Sequence, residues 1–210
     1  MPSFLYEDQH QTLTAGIDEA GRGPWVGPVV AGAVIFLKRN VEPYLLEHLD
    51  DSKKLSSHRR EELFDLIVQE TKKGNMCYGI GQASASEIDE LNILQATFLA
   101  MRRAALQLPV KPGFALIDGN RLPKEFICPA ISLIKGDSLS YSIAAASIVA
   151  KVTRDRQMIE MAKIYTGYGF EKNAGYGTKE HIKGLQKYGI TPEHRKSYKP
   201  IKEIIAKKSA

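Results

Sequence analysis

The stretch that decides the fold is Gly16-Ile-Asp-Glu-Ala-Gly-Arg-Gly-Pro24, where an apolar segment runs into a turn rich in glycine and proline. The apolar residues 13–17 predict a first strand, and residues 29–37 predict a second one after the turn. Together they predict a hairpin with a wide turn. Asp18 and Glu19 are expected where the first strand ends, so two neighbouring carboxylates should lie at the mouth of this turn.

Outward from the hairpin, strand and helix patterns alternate along the chain. Three further strands are predicted, at 76–82, 114–117 and 131–134. Helices are predicted at 42–49, from Ser56 to the Gly74-Asn75 stop, at 84–108 with a break near Asn92, at 138–164, and as two short helices separated near 189–192. Mixed connections of this kind indicate an α/β fold in which helices cover a mixed sheet.

Composition limits the class of protein. The chain has 210 residues, 43% of them hydrophobic and 25% charged, which is typical of one large globular domain with or without a small appendage. The longest apolar run, 29–37, is too short to cross a bilayer, and the chain does not begin with a secretory signal pattern. Cys77 and Cys128 have no metal-type spacing, so we expect a cytoplasmic protein.

Positive charge is concentrated at the C-terminal end. The net charge is +5, and residues 171–210 contain ten lysines and arginines against four acids. Such a tail is typical of a segment that binds a polyanion. On charge alone, a solvated helical face explains it equally well.

Four acids follow apolar segments: Asp18, Glu19, Asp118 and Asp137. Carboxylates at several strand ends can meet at one edge of a sheet, where sites in α/β proteins usually lie. Grouped acids without histidine or cysteine favour hard cations such as Mg²⁺ or Mn²⁺. Two such ions roughly 4 Å apart can activate water for attack on a phosphodiester.

Each of these acids also has a structural explanation. Asp118-Gly can be an ordinary turn, Asp137 an N-cap, and Asp18-Glu19 a solvated strand end. Neighbouring residues on a regular strand face opposite ways, so Asp18 and Glu19 can share a site only if the strand twists or ends there.

Asp155 lies in Thr153-Arg-Asp-Arg156, which looks like part of a site. It follows Asp137 by 18 residues along one predicted helix, a separation of about 27 Å. The two acids therefore cannot bind the same metal pair. We expect Asp155 to pair with Lys151 or a neighbouring arginine.

Seven segments in one order along nearly the whole chain resemble bacterial ribonuclease HII, the type 2 ribonuclease H family. They are Gly16-Ile-Asp-Glu-Ala-Gly-Arg-Gly-Pro24 with Gly27-Pro-Val-Val30, Asp51-Ser-Lys-Lys-Leu-Ser56, Ile117-Asp-Gly-Asn120, Lys135-Gly-Asp137, Ala144-Ala-Ala-Ser-Ile-Val-Ala-Lys-Val-Thr-Arg-Asp155, Gly175-Tyr-Gly-Thr178 and His194-Arg195. The resemblance implies a ribonuclease H-like α/β fold, with a five-stranded mixed sheet flanked by helices and a helical C-terminal extension. We accordingly divide the chain into a catalytic domain, 1–165, and a basic helical extension, 166–210, that packs on it and helps to bind substrate.

The same resemblance implies an endoribonuclease. It would hydrolyse the RNA strand of RNA–DNA hybrids and nick 5′ of single ribonucleotides embedded in duplex DNA, leaving 5′-phosphate and 3′-hydroxyl ends in replication and repair. The resemblance makes Asp18, Glu19, Asp118 and Asp137 both catalytic and metal-binding, with two Mg²⁺ or Mn²⁺ ions when substrate is bound. We expect a monomer that does not bind a membrane. Its expected partners are RNA–DNA hybrids and DNA duplexes with embedded ribonucleotides.

Recognition of RNA requires contact with the 2′-hydroxyl, since that group alone distinguishes the two sugars. By resemblance, Gly21, Arg22 and Gly23 bring main-chain groups against it, and Tyr176 stacks on the adjacent sugar. The alternatives are a simple turn for the glycines and a packed aromatic for the tyrosine. Tyr168, in a similar motif, is assigned to packing.

Several cations are candidate phosphate contacts, although a solvated surface position explains any one of them. They are Lys53, Lys54, Lys179, Lys183, Arg195 and Lys196. Two departures from the family pattern, Trp25-Val26 and Asn173-Ala174, concern the grip on substrate and not the acids. Trp25 can be an exposed stacking residue or a lid over the core.

Three alternative functions remain from the residues alone. A non-catalytic nucleic-acid-binding protein would share the basic tail but has no use for clustered acids. A nucleotide-binding enzyme could use 21–27 as a phosphate cradle, although the segment lacks the Gly-Lys-Ser/Thr ending of a P-loop. A related DNA nuclease or transposase of the same fold would share the acids and the metals.

Overall fold

A computed structural model describes residues 1–208, with side chains up to residue 206, and contains one five-stranded sheet. The strands are β1 (Thr14–Ala20), β2 (Val29–Phe36), β3 (Met76–Ala83), β4 (Phe114–Asp118) and β5 (Ala130–Leu133). Their order across the sheet is β3-β2-β1-β4-β5. Strands β1, β2 and β3 pair antiparallel, whereas β4 and β5 run parallel to β1. The predicted mixed sheet is confirmed.

Helices cover this sheet and form the C-terminal part of the chain. They are α1 (Pro43–His48), α2 (Ser57–Lys72), α3 (Ala85–Leu91), α4 (Ile93–Leu106), α5 (Tyr141–Ile164), α6 (Phe170–Asn173), α7 (Lys179–Tyr188) and α8 (Lys199–Lys208). Ser56 starts α2 and Ser140 starts α5, because each hydroxyl accepts a hydrogen bond from a main-chain N–H of the first turn. Within residues 1–208, no helix is both long enough and apolar enough to span a membrane.

The two faces of the sheet pack against different helices. Ala15, Ile17 and other odd-numbered positions of β1 and β2 pack on α4, whereas Val34 and Phe36 pack on α5, α2 and α1. Strand alternation produces this division. Helix α5 lies directly on the central strands, since a Cβ added at Gly16 would lie 2.1 Å from the Ser142 main chain. Its alanines permit this approach.

Most element predictions are confirmed, and the differences have local causes. The break near Asn92 is real: this residue has φ +70° and separates α3 from α4. The expected end of β1 at residue 17 is wrong, because pairing with β2 continues to Ala20 opposite Val30. Helix α5 begins at Tyr141, later than expected, because a separate 3-10 turn forms at Gly136–Ser138. The one-turn helix α6 was not predicted.

The C-terminal part packs on the end of α5 and on the hairpin turn. A third apolar cluster contains Val26, Met158, Tyr168, Phe170, Leu185 and Ile201, with Trp25 partly buried against it. A Cβ added at Gly177 would lie 2.1 Å from the Trp25 ring, so Trp25 is a packing residue between turn and tail. Tyr168 is buried and donates its hydroxyl hydrogen to Gly189 O at 2.8 Å. Its assignment to packing is confirmed.

Candidate active site

Asp118 stands at the centre of the candidate site. It ends β4, which runs parallel to β1 in the register Ile17↔Ile117, so the carboxyl ends of the two strands meet at one edge. The N–H of Gly136 donates to Asp118 Oδ1 at 2.7 Å. This bond fastens the 3-10 turn that carries Asp137 to the end of β4.

Asp18 and Glu19 approach Asp118 from the two faces of the sheet. Both lie inside β1, so strand alternation directs Asp18 towards the α5 face and Glu19 towards the α4 face. Asp18 is buried and accepts the N–H of Glu19 at 2.7 Å, while Glu19 pairs with Arg22 at 3.2 Å. Each of the two carboxylates interacts electrostatically with Asp118. Asp118, at the carboxyl end of β4, therefore interacts with two acids that strand alternation places on opposite faces of the sheet.

Burial and neighbouring carboxylates raise the pKa values of Asp18, Glu19 and Asp137. Burial raises the pKa of Asp18 well above its ordinary value, and the neighbouring Glu19 and Asp118 raise it further. Burial also raises the pKa of Asp137, with Asp118 and Asp51 adding to the effect. Arg22 opposes the effect of burial on Glu19, whose pKa is nevertheless raised. Buried, mutually repelling carboxylates of this kind are stabilised by bound cations.

Lys53 is a cation that interacts electrostatically with several of these acids. Burial lowers the pKa of its ammonium, but the carboxylates of Asp18, Asp51, Asp137 and Asp118 outweigh that effect and raise it. Asp51 was missed as a site residue. It lies in the Asp51-Ser-Lys-Lys segment, in the loop before α2, and interacts electrostatically with Asp137.

The donor set suits a hard divalent cation, because all four predicted ligands are carboxylates and each carries an oxygen outside the main-chain bonds above. Among residues 1–208, however, no three acidic, histidine or cysteine side chains already stand in a metal-holding arrangement. The acids are neighbours at one sheet edge without being drawn together around one point. Their charge and donor type fit metal binding.

A cavity of about 520 Å³ lies beside the acids, and most of the predicted substrate residues line it. Glu19, Gly21, Arg22, Gly23, Lys53 and Tyr176 all belong to its wall. The Tyr176 ring is 52% exposed, and a Cβ added at Gly23 would lie 3.3 Å from its Cε1 atom. The glycine turn and Tyr176 therefore form one wall of one groove.

Arg195 is not a phosphate contact, and this prediction is wrong. Its side chain is fully buried, and its guanidinium donates to main-chain carbonyls of the hairpin turn. Arg154 does the same from α5, donating to Pro28 O at 3.2 Å and Val26 O at 3.2 Å. Sequence reasoning missed both arginines as residues that organise the turn, since a buried arginine looks like any other basic residue.

The remaining predicted cations lie outside this groove. Lys54 pairs with Asp50 at 2.9 Å, and Lys179, Lys183 and Lys196 are exposed on the C-terminal part. Asp155 binds Lys151 at 2.6 Å and Arg60 at 3.4 Å, which confirms the predicted pairing.

The sheet, its flanking helices and the acids at the carboxyl ends of β1 and β4 define a protein of the ribonuclease H-like class. The family model for Ribonuclease HII matches residues 15–201, and the chain belongs to this family. It is therefore a ribonuclease H, an endoribonuclease that acts on RNA–DNA hybrids. This membership rejects the non-catalytic, nucleotide-binding and transposase alternatives.

Relatives and solved structures agree with the family. The chain is 49% identical over 207 residues to Ribonuclease HII of Rhodospirillum rubrum, covering 99% of this chain and 93% of that protein. It is 52% identical over 192 residues to Ribonuclease HII of Ruegeria pomeroyi, covering 91% of this chain and 78% of that protein. The crystal structure of ribonuclease H2 from Pyrococcus horikoshii superposes with a TM-score of 0.73 at 28% identity, covering 92% of this chain and 97% of that chain.

Proposed function

We propose that this enzyme also nicks duplex DNA on the 5′ side of a single embedded ribonucleotide, using two divalent cations, Mg²⁺ or Mn²⁺. The proposed ligands are Asp18, Glu19, Asp118 and Asp137. The observation that carries the proposal is the position of Asp118, which interacts electrostatically with the other three acids at one sheet edge. In this role the enzyme would act in the cytoplasm and repair DNA that contains ribonucleotides left by replication.

The chain's own residues would prepare the phosphodiester for hydrolysis. When bound, the cations supply an activated water and stabilise the leaving 3′-oxygen. Asp18, Glu19, Asp118 and Asp137 would hold the cations beside the reacting phosphate, because Asp118 interacts electrostatically with the other three. Lys53, whose ammonium faces the same acids, neutralises part of the phosphate charge when the duplex enters. Hydrolysis would leave 5′-phosphate and 3′-hydroxyl ends.

Substrate would be recognised along the 520 Å³ groove. Residues 21–23 would contact the ribose 2′-hydroxyl through main-chain groups, because glycines allow close approach. Tyr176 would stack on the adjacent sugar and so mark the RNA-to-DNA junction. Because Glu19 lines the same groove, a ribose bound there would lie beside the proposed metal ligands.

The C-terminal region, 166–210, would bind the duplex without reading its bases. Lys179 and Lys183 lie exposed on α7, close in sequence to Tyr176, and can contact phosphates beyond the groove. Residues of this region up to Ile205 pack on α5 and on the hairpin turn through the third apolar cluster. We propose that one copy of the chain suffices for activity.

The test is cleavage of a DNA duplex that contains one ribonucleotide, with Mg²⁺ or Mn²⁺ and with EDTA. We expect a single nick 5′ of the ribonucleotide in either metal and none in EDTA. Asp118→Asn should lower the cleavage rate by at least about a hundredfold. Substituting a residue that only orients a metal ligand lowers activity by about 10–100-fold, and Asp118 is itself a proposed ligand.

The matched control is Asp65→Asn, which removes an exposed acid on α2 away from the site. It should cut like the unmodified enzyme. An intact duplex in both metals would overturn the proposed nicking activity, and undiminished cutting by Asp118→Asn would overturn the ligand assignment.

A further inference from the structure

Arg195 donates to the carbonyls of five residues in one turn, far away in sequence. The acceptors are Gly21 O (2.6 Å), Arg22 O (3.0 Å), Pro24 O (2.7 Å), Gly27 O (2.9 Å) and Pro28 O (3.1 Å). The side chain is 0% exposed. Every guanidinium nitrogen is therefore engaged by the main chain of the hairpin turn, and Arg195 sets the direction of its peptide groups.

By fixing these carbonyls, Arg195 also fixes the N–H groups on the opposite side of the turn. In a trans peptide the C=O and the following N–H point in opposite directions. Since the carbonyls of Gly21 and Arg22 face Arg195, the N–H groups of Arg22 and Gly23 face away from it. No residue in 1–208 accepts a hydrogen bond from either N–H. Residues 21–23 line the 520 Å³ groove, so the turn offers two unpaired donors on its groove side.

Tyr198 holds the same peptide from a second direction. Its hydroxyl donates to Arg22 O at 2.5 Å and accepts from Arg195 Nη1 at 3.0 Å. The segment between the two side chains is tied to α3, because the N–H groups of Lys196 and Ser197 donate to the Asp89 carboxylate at 2.9 and 2.7 Å. The turn is thus held in place before any substrate binds.

We propose that Arg195, assisted by Tyr198, is a positioning residue for recognition of the ribose 2′-hydroxyl. By holding the carbonyls of Gly21 and Arg22, it presents the N–H groups of Arg22 and Gly23 to the 2′-oxygen. The inference rests on the proposed function, which places the ribose in this groove. A lysine cannot replace Arg195. Its single ammonium group cannot reach all five carbonyls, which the three nitrogens of the planar guanidinium contact from different sides.

The test measures binding with Ca²⁺ in place of Mg²⁺, using two duplexes that differ only in a ribo- or deoxyribonucleotide at one position. The unmodified enzyme should prefer the ribonucleotide duplex. Tyr198→Phe should reduce that preference by about fivefold, as expected for one hydrogen bond, and Arg195→Lys should reduce it further. Affinity for the all-DNA duplex should change less than about twofold in both variants, because phosphate contacts dominate it.

Tyr168→Phe is the matched control. It also removes a hydroxyl that donates to a main-chain carbonyl, Gly189 O at 2.8 Å, but in the third apolar cluster and away from the turn. It should lower the melting temperature and leave the preference unchanged. Should Arg195→Lys not fold, Tyr198→Phe decides alone.

An unchanged ribonucleotide preference in Tyr198→Phe and in folded Arg195→Lys would overturn the role of Arg195 while leaving the nicking activity intact. A natural-sequence enzyme that does not nick the ribonucleotide duplex would overturn the proposed function itself. The two failures are therefore separate observations.

Discussion

The main-chain N–H of Gly136 donates to Asp118 Oδ1 at 2.7 Å, which joins the end of β4 to the turn that precedes α5. Through this bond the acid at the strand end and Asp137, one residue beyond Gly136, keep a fixed relation. Electrostatic repulsion between the two carboxylates opposes that relation and contributes to the raised pKa of Asp137, after burial. This main-chain hydrogen bond therefore keeps the carboxylates of Asp118 and Asp137 close together although their charges repel each other.

Asp18→Asn should stabilise the metal-free protein while abolishing activity. Burial and the neighbouring acids raise the pKa of Asp18, so its ionised form at neutral pH destabilises the folded state and lowers the free energy of unfolding. We expect the variant to melt at a higher temperature than the natural sequence in EDTA, and to lose the stabilisation that Mg²⁺ or Mn²⁺ confers. Thermal melts with and without metal measure both effects. A lower melting temperature in EDTA would contradict this account of the site.

Tyr176→Ala should weaken binding of a hybrid duplex by about tenfold, since a stacking contact of an aromatic side chain contributes about 1–3 kcal/mol. The fold should persist because the ring is 52% exposed. Tyr188→Ala is the control, because Tyr188 is 53% exposed but does not line the groove. Fluorescence titration with labelled hybrid compares the two. Equal losses would remove Tyr176 from the substrate groove.

A double substitution of Lys179 and Lys183 by alanine should weaken binding of all duplexes alike. Each lost phosphate contact should reduce the slope of log affinity against log salt by about 0.9. Lys38 and Lys72, exposed near the opposite edge of the sheet, provide a double alanine control with the same change in charge. Titrations at several salt concentrations give the slopes. An unchanged slope in the Lys179/Lys183 variant would mean that α7 does not touch the duplex.

Stability should fall at acidic pH because of a buried histidine pair. His194 Nδ1 accepts the Thr191 N–H at 2.8 Å, so its Nε2 carries the hydrogen that faces His181 Nε2 at 3.1 Å. Burial, and then His181, lower the pKa of His194 to about 4.

The lowered pKa means that the unfolded chain binds more protons than the folded one between about pH 6.5 and pH 4. The stabilisation is fully present above pH 6.5 and is lost as the pH falls, by up to about 3 kcal/mol. Denaturant unfolding across this range measures it. His194→Asn should be less stable at pH 7 and less dependent on pH; an equal pH dependence would place the acid sensitivity elsewhere.

Local patterns were sufficient for the elements of the fold. The strands follow apolar runs, and Asn92 separates two helices within one predicted helical stretch. The end of β1 could not be read in the same way, because Asp18 to Ala20 are polar or small and stay in the strand only through pairing with β2. Helix α6 is a single turn packed in the third apolar cluster, so its four residues have no periodicity to detect.

The sequence proposed the four acids as strand-end residues and by resemblance to the family. Their number and type follow from local chemistry, since each stands beside a strand or turn that its own neighbours define. The electrostatic interaction of Asp51 with Asp137 joins residues far apart in the sequence, and no local pattern specifies it.

The amino-acid sequence by itself determined the sheet, the family and the four candidate metal ligands, because strands, turns and acids leave short-range patterns. Only the tertiary structure decided what Arg195 does. Basic side chains look alike in sequence, whether they face solvent or bury against carbonyls 167 to 174 residues away. Contacts over such distances are set by packing of the whole chain, since burial of a guanidinium is tolerable only where the folded main chain satisfies its donors.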